Sequence, residues 1–239
     1  MPRAAHAAQI TNRLLDRLPE RDRSRVLAEC EQVDLALHEI LAEPGSRIRN
    51  VYFPLESFIS LLTPMGGKDI LEVALTGNEG MYGAPVALGI DVSPLQALVQ
   101  GSGSAWQMGA TAFRRELART PALRQSIDRY IYVLLTQLTH TAGCNRFHLV
   151  EQRVARWLLM TADRAHGRSF HITHEFLARM LGVRRVGITK AAGALQGRKV
   201  IRYNRGNVTV LDRKGLERAS CPCYRADLAT YDRILASQA

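Results

Sequence analysis

Three cations crowd one short stretch of the chain. Arg184, Arg185 and Lys190 lie within "ITHEFLARMLGVRRVGITKAAGALQGRKVIRY", residues 172–203, where acids are scarce. Cations held together on a short helix suit phosphate, and an arginine fork also matches the two acceptors on a guanine edge. The flanking residues give the stretch its shape. Thr173 stands where an N-cap is wanted, Glu175 lies early in the following turn, and Phe176, Leu177, Met180 and Leu181 fall at helical spacing. Gly182 predicts a tight turn, and Val183 returns an apolar side chain to the core. A second helix through "RRVGITKAAGAL" then buries Val186 or Ile188, together with Ala191 and Leu195. Helix, short glycine-containing turn and helix make a helix-turn-helix, with the three cations in the first half of its second helix. Beyond it, "RKVIRYNRGNVTVLD" predicts strand, turn and strand, a basic wing with Arg202 and Arg205 in reach of phosphates. Gly187 and Gly193 oppose the second helix by about 1 kcal/mol each relative to alanine.

The elements that must position this stretch follow from the rest of the chain. Its 239 residues allow one large domain or two modest ones, and a composition 46% hydrophobic and 23% charged is that of a globular protein. The net charge of +10 is unevenly placed. Residues 1–142 carry 14 Lys and Arg against 15 Asp and Glu, and residues 143–239 carry 18 against 7. All the excess therefore lies with the helix-turn-helix, which suggests a polyanion-binding module beside a neutral one. The first 18 residues hold no signal-peptide core, and no apolar run approaches the roughly 20 residues that span a bilayer. A cytoplasmic protein without membrane contact is expected.

From Val33 to about Ala112 the texture is β-like. "NVYFP", "SFISLLT", "DILEVALT" and "LQALVQGS" alternate with the turn signals "EPGS", "PMGGK", "TGNEG" and "GSGS". Gly66-Gly67 is a hairpin signal. An antiparallel sandwich or jelly roll of roughly 80 residues is predicted, after short helices carrying Leu14, Leu15, Leu18, Val26 and Leu27. Pro121 opens a helix in which Leu123, Ile127, Tyr130, Leu134, Leu138 and Thr141 share a stripe, with Val133 and Leu135 off it. Apolar residues on more than one face need more than one neighbour. Either the helix is buried inside its own protomer, or one side packs on the sandwich and the other on a second copy. After a break near Gly143, "LVEQRVARWLLMTADRA" is amphipathic, with Val150, Val154, Trp157, Leu158 and Thr161 on one face. The fold class is thus α+β, with a sandwich and its leading helices over 1–120, a helix over 121–142 and a winged helix-turn-helix over 143–239.

This order of parts resembles the Crp/Fnr transcriptional regulators over nearly the whole chain. The residues that carry the likeness are "ITHEFLARMLGVRRVGITKAAGALQGRKVI" and, more loosely, "LTGNEGMYGAPVALG". The resemblance implies a jelly roll like that of cyclic-nucleotide-binding domains, and a homodimer on double-stranded DNA with an inverted-repeat operator. It also implies a dimer seam along Leu123, Ile127, Tyr130, Leu134 and Leu138. By position, Arg185 matches the recognition-helix arginine that pairs with guanine and Lys190 a later base or phosphate contact. Arg184 and Thr173 match phosphate contacts, His174 less closely. Val186 departs from the acid of cyclic-AMP-responsive relatives and offers only packing or a thymine methyl contact. His171 and His174 in "HITH" are expected to face phosphate rather than a metal.

The loose segment makes Gly77, Glu79, Gly80 and Gly83 candidates for an effector pocket, as turns whose backbone N–H groups cradle an anion. In such relatives a Glu binds the ribose and an Arg the cyclic phosphate. Here those positions fall on Ala84 and on Ser93, Pro94, Leu95 and Gln96, so cyclic AMP is not expected and the effector is open. Of four cysteines, Cys30 stands alone in the first half, while Cys144 and the "CPC" of Cys221 and Cys223 have no zinc-knuckle spacing. Inert thiols, no metal and no cofactor are expected, the alternative being that the Cys221/Cys223 pair holds a metal with a remote third or fourth ligand or has a redox role. No Ser/His/Asp or Cys/His arrangement points to an enzyme, and Glu79 is the one suggestive acid near the glycines. The alternative to a regulator is a protein-interaction scaffold that kept the fold without an effector.

Overall fold

Among the described residues two short helices come first, α1 (Arg13–Asp16) and α2 (Glu20–Ala28), separated at Pro19 as the sequence predicts. The computed structural model describes residues 11–67 and 69–235, so the expectation of no signal-peptide core falls partly on residues outside them. Asn12 caps α1 by accepting from the Leu14 amide, and its side-chain N–H donates to the carbonyls of Pro54 and Gly80 at 3.0 and 2.9 Å. A buried amide thus fastens the leading helices to the sandwich.

Seven strands follow: β1 (Glu31–Leu35), β2 (Ile40–Ala42), β3 (Asn50–Pro54), β4 (Phe58–Gly66), β5 (Asp69–Thr76), β6 (Gln96–Gly101) and β7 (Gly103–Gly109). They form two antiparallel sheets, ordered β1-β7-β3 and β2-β6-β4-β5. Alternate residues such as Val51, Phe53, Ile59, Val99 and Met108 enter a common core. The predicted hairpin lies between β4 and β5, where Gly66 and Gly67 take φ of 98° and 59°, a region that glycine enters without a Cβ penalty. Helix α3 (Ala110–Arg119), which the β-like texture gave no reason to expect, buries Phe113 and Leu117 at the end of the sandwich.

Helix α4 (Pro121–Phe147) runs 27 residues, straight through the break predicted near Gly143. Contacts on its sides outweigh the cost of one glycine. Then come α5 (Val150–Arg164), β8 (Ser169–His171), α6 (His174–Leu181), α7 (Arg185–Gly197), β9 (Ile201–Asn204), β10 (Asn207–Val210), α8 (Arg213–Ala219) and α9 (Cys223–Leu235). Strands β8, β10 and β9 make the wing sheet in that order. Its turn is tight because Arg205 and Gly206 both have positive φ, 47° and 85°. The expected 143–239 unit does not pack as one body. Tyr231 and Leu235 of α9 join the sandwich core, and α9 lies along α4.

Helix α5 is buried on more faces than its amphipathic spacing indicated. Val154, Leu158 and Leu159 pack in the core of the helix-turn-helix, which also takes Phe58 and Leu75 from the sandwich. On the same helix the indole N–H of Trp157 donates to Glu72 Oε1 at 2.8 Å, while Glu72 Oε2 accepts from Ser60 at 2.8 Å. The buried Arg164 pairs with the half-buried Glu79 at 2.6 Å. Burial pushes the Glu72 carboxyl up to about 7 from its ordinary 4.5, against downward pulls from Ser60, Trp157, Arg164 and Arg156.

Because that pKa is raised in the folded state, the protonated carboxyl stabilises the fold, fully below about pH 4.5 and decreasingly as pH rises through about 7. Denaturant unfolding between pH 5 and 8 is expected to show a loss of roughly 3 kcal/mol that Glu72→Gln largely removes. Parallel pH profiles for the two proteins would show that Glu72 does not titrate in this window.

Candidate DNA-binding interface and effector cavity

Thr173 caps α6 as predicted, its hydroxyl accepting from the Phe176 amide at 3.1 Å, and Gly182 closes that helix at φ 59°. Helix α7 then starts at Arg185, with Arg184 as its N-cap residue. Ile188, Ala191, Ala192 and Leu195 are buried, and Val186 is 58% exposed, so Ile188 is the core residue of the predicted pair. The outward face carries Arg185, Val186, Thr189 and Lys190 at i, i+1, i+4 and i+5.

Arg184, Arg185, Lys190, Arg202 and Arg205 are exposed, and among the described residues none pairs with a carboxylate within 4.0 Å. Elsewhere guanidiniums are spent on ion pairs, including Arg156 with Asp227, Arg198 with Glu151 and Arg213 with Asp163. The first turn of α7 holds no acid, so its positive dipole end adds to Arg184 and Arg185 rather than being neutralised. This arrangement costs folding energy and attracts an anion.

His174 makes contacts within the fold that its position did not suggest. Its ring stacks on Tyr203 of the wing with centroids 4.4 Å apart, and Nδ1 lies 3.1 Å from the Thr189 hydroxyl. Burial and then the Arg185 charge lower its pKa, which favours the neutral ring. The ring joins α6, α7 and wing. Thr189, which the sequence analysis passed over, shares the outward face and was findable from its i+4 spacing to Arg185.

Neither Gly187 nor Gly193 of α7 is required by packing. A Cβ on Gly187 would meet Val150 at an ordinary 3.8 Å, and one on Gly193 would have no described atom within 4 Å. Gly193 sits on the exposed side of the helix.

The four glycine-segment candidates divide. A Cβ on Gly77 would come within 2.7 Å of the Arg164 stem, and one on Gly80 would overlap the Tyr130 ring. Glu79 holds Arg164. These three residues serve close packing between sandwich and helices. Gly83, at φ 93°, lines a cavity. That cavity, about 200 Å³, has Ala84, Ser93, Pro94 and Leu95 on one side and Ile131, Leu134, Leu135 and Leu138 of α4 on another. Ala84, Ser93, Pro94 and Leu95, matched to ribose and phosphate binding, therefore do converge, and among the described residues no charged side chain lines the space. The Ser93 hydroxyl donates to the Leu95 carbonyl at 2.7 Å.

The expected seam also divides. Leu123, Ile127 and Tyr130 are buried in the protomer's own core, and the Tyr130 hydroxyl donates to the Met81 carbonyl. Only beyond the sandwich does the stripe emerge, with Leu134 half-buried and Leu138 exposed. The open apolar face is Tyr132, Leu135 and Leu138. Spacing located the stripe but not which neighbour each turn meets.

The cysteines are not all isolated. Cys30 stands apart, whereas Cys144, Cys221 and Cys223 converge with His148 so that all four ligand atoms lie within 4.8 Å of one another.

Comparison with known proteins agrees with this geometry. Residues 152–219 match the Crp-like helix-turn-helix domain family. The fold is similar to that of the c-di-GMP-responsive global regulator CLP from Xanthomonas campestris, at 16% identity and a TM-score of 0.66, covering 80% of this chain and 99% of that one. FixK2 from Bradyrhizobium japonicum is similar at 11% identity and 0.67, with 80% and 98% covered. A protein from Eubacterium rectale assigned to the Crp/Fnr family matches at 14% and 0.67, with 86% and 96% covered. No curated protein matches in sequence. Among the described residues no helix is long and apolar enough to cross a membrane.

Replacing Gly193 with alanine is expected to raise the unfolding free energy by roughly 1 kcal/mol, measured by denaturant titration. An unchanged or lower value would show that the open side of α7 is constrained within the protein itself.

Proposed function

We propose, from the Crp-like helix-turn-helix and the Crp/Fnr fold of this chain, that it is a cytoplasmic, sequence-specific DNA-binding transcription regulator acting as a homodimer on an inverted repeat. The observation that carries this is the set of unpaired cations on one face, Arg184, Arg185 and Lys190 on α7 with Arg202 and Arg205 on the wing. Arg185 reads a guanine edge, Val186 packs against a thymine methyl, and Thr173, Arg184, Arg202 and Arg205 hold phosphates. Lys190 takes a base or phosphate one turn further along. His174 acts by positioning Thr189 and the wing.

The second copy covers Tyr132, Leu135 and Leu138, the exposed apolar face of α4. The same helix walls the cavity of the sandwich, so a ligand there touches the element that sets the spacing of the two recognition helices. An anionic nucleotide finds no cation to meet its phosphate, which would then be desolvated without a partner. An uncharged, largely apolar effector fits this lining.

Selection from randomised duplex DNA at near-physiological salt tests this function. An inverted repeat is expected, its half-site centres about one helical turn apart. Arg185→Ala is expected to weaken binding about 10-fold to 100-fold and to relax preference at one base pair. Lys190→Ala is expected to lower the salt slope by about one if it meets a phosphate. Leu135→Glu is expected to yield monomers in sedimentation and to weaken binding to the full repeat. Unchanged affinity and salt slope in the Arg185 and Lys190 variants would falsify the interface.

A further inference from the structure

Cys144 and His148 stand four residues apart at the end of α4, on one face of the helix, where the His148 amide donates to the Cys144 carbonyl at 3.2 Å. Cys221 and Cys223 flank Pro222 in the bend between α8 and α9. The two pairs are more than seventy residues apart in sequence and meet at the junction of α4, α5 and α9. Cys144 Sγ lies 3.5 Å from Cys221 Sγ, and Cys223 Sγ lies 3.6 Å from His148 Nδ1. Both cysteines of the first contact are buried, and Cys223 and His148 are half-buried.

These spacings have a specific chemical meaning. A tetrahedral zinc ion with Zn–S bonds of about 2.3 Å and a Zn–N bond of about 2.0 Å puts two sulfurs about 3.8 Å apart, and a sulfur about 3.5 Å from a nitrogen. The observed contacts are close to these edges. With all four atoms within 4.8 Å of one another, the space suits one ion rather than an iron–sulfur cluster, which spreads its ligands over several metals. We propose that Cys144, His148, Cys221 and Cys223 form a Cys3His site for a single zinc ion that staples the end of α4 to the C-terminal helix. Four protein ligands leave no open position, so the site is structural rather than catalytic.

Cys223 opens α9, where the helix dipole favours a negative sulfur. Binding replaces up to three thiol protons by one dication, leaving a net single negative charge on the centre. Arg156 lies beside it, buried and held at 2.7 Å by Asp227, with its Nε buried and unpartnered. Asp227 in turn lies 2.6 Å from Nδ1 of His140 on α4, so the same α4–α9 contact that carries the cysteines is tied by a second polar network.

Metal analysis of the full-length chain, purified in reductant without added metal, is expected to find about one zinc per protomer. A Cys221→Ser/Cys223→Ser double substitution is expected to lose it and Cys30→Ser to keep it. Replacing zinc with cobalt is expected to give thiolate-to-cobalt charge-transfer absorption and the intense visible bands of a tetrahedral ion. His148→Cys preserves a four-ligand set, so it is expected to retain metal and shift the cobalt spectrum, which separates loss of a ligand from loss of fold. A folded protein that holds no zinc, shows no cobalt–thiolate absorption and leaves all its thiols free to alkylate would overturn the site. So would a Cys144–Cys221 disulfide in the native protein, seen as a missing hydrogen pair in its intact mass.

Discussion

The burial of α5 is the constraint on which the remaining parts depend. A guanidinium and a carboxylate removed from water must find each other, and Arg164 and Glu79 do so across the boundary between helix-turn-helix and sandwich. Trp157 and Glu72 repeat the connection two turns earlier on the same face of α5. Breaking either contact leaves a buried polar group without its partner, so the helix-turn-helix stays seated on β4 and β5. The Gly77 and Gly80 positions follow from the same constraint, since side chains there would displace the Arg164 stem and the Tyr130 ring. Part of the glycine segment therefore belongs to the joint between the two halves.

Helix α4 links everything else. Its first turns are core of the sandwich, its middle closes the apolar cavity, and its last turns carry α9 and the cysteine–histidine cluster. One continuous helix touches a ligand-sized space, an open apolar face and the seat of the DNA-binding elements. Rigid secondary structure of this kind passes a displacement along its length without any new contact, provided two arrangements of the helix are close in energy.

The cations fall into two populations with different physics. Arg156 and Arg164 are buried and matched to acids, and they hold parts of the fold together. Arg184, Arg185 and Lys190 are exposed and unmatched, and the two arginines stand at the positive end of a helix, where they oppose folding. Composition alone assigns both populations to one excess of positive charge. Only their partners separate a structural charge from one available to a phosphate backbone.

The sequence by itself determined the parts governed by local rules. Thr173 and Gly182 bound α6 because capping and left-handed backbone depend on single residues, and the Arg205-Gly206 turn and Gly66-Gly67 hairpin are fixed in the same way. The cations of α7 and the missing nucleotide contacts were also legible, since both are matters of residue type at a position. Tertiary structure decided whatever depends on which faces meet. Periodicity placed Leu123, Ile127 and Tyr130 on one stripe with Leu138, but only the extent of the sandwich puts the first three inside the protomer and leaves the last exposed. Helix α3 had no signal stronger than the β texture before it. The cysteines looked unrelated because a ligand set is defined by distance in space, and the chain return that brings α9 back onto α4 is a long-range packing event that no local pattern encodes.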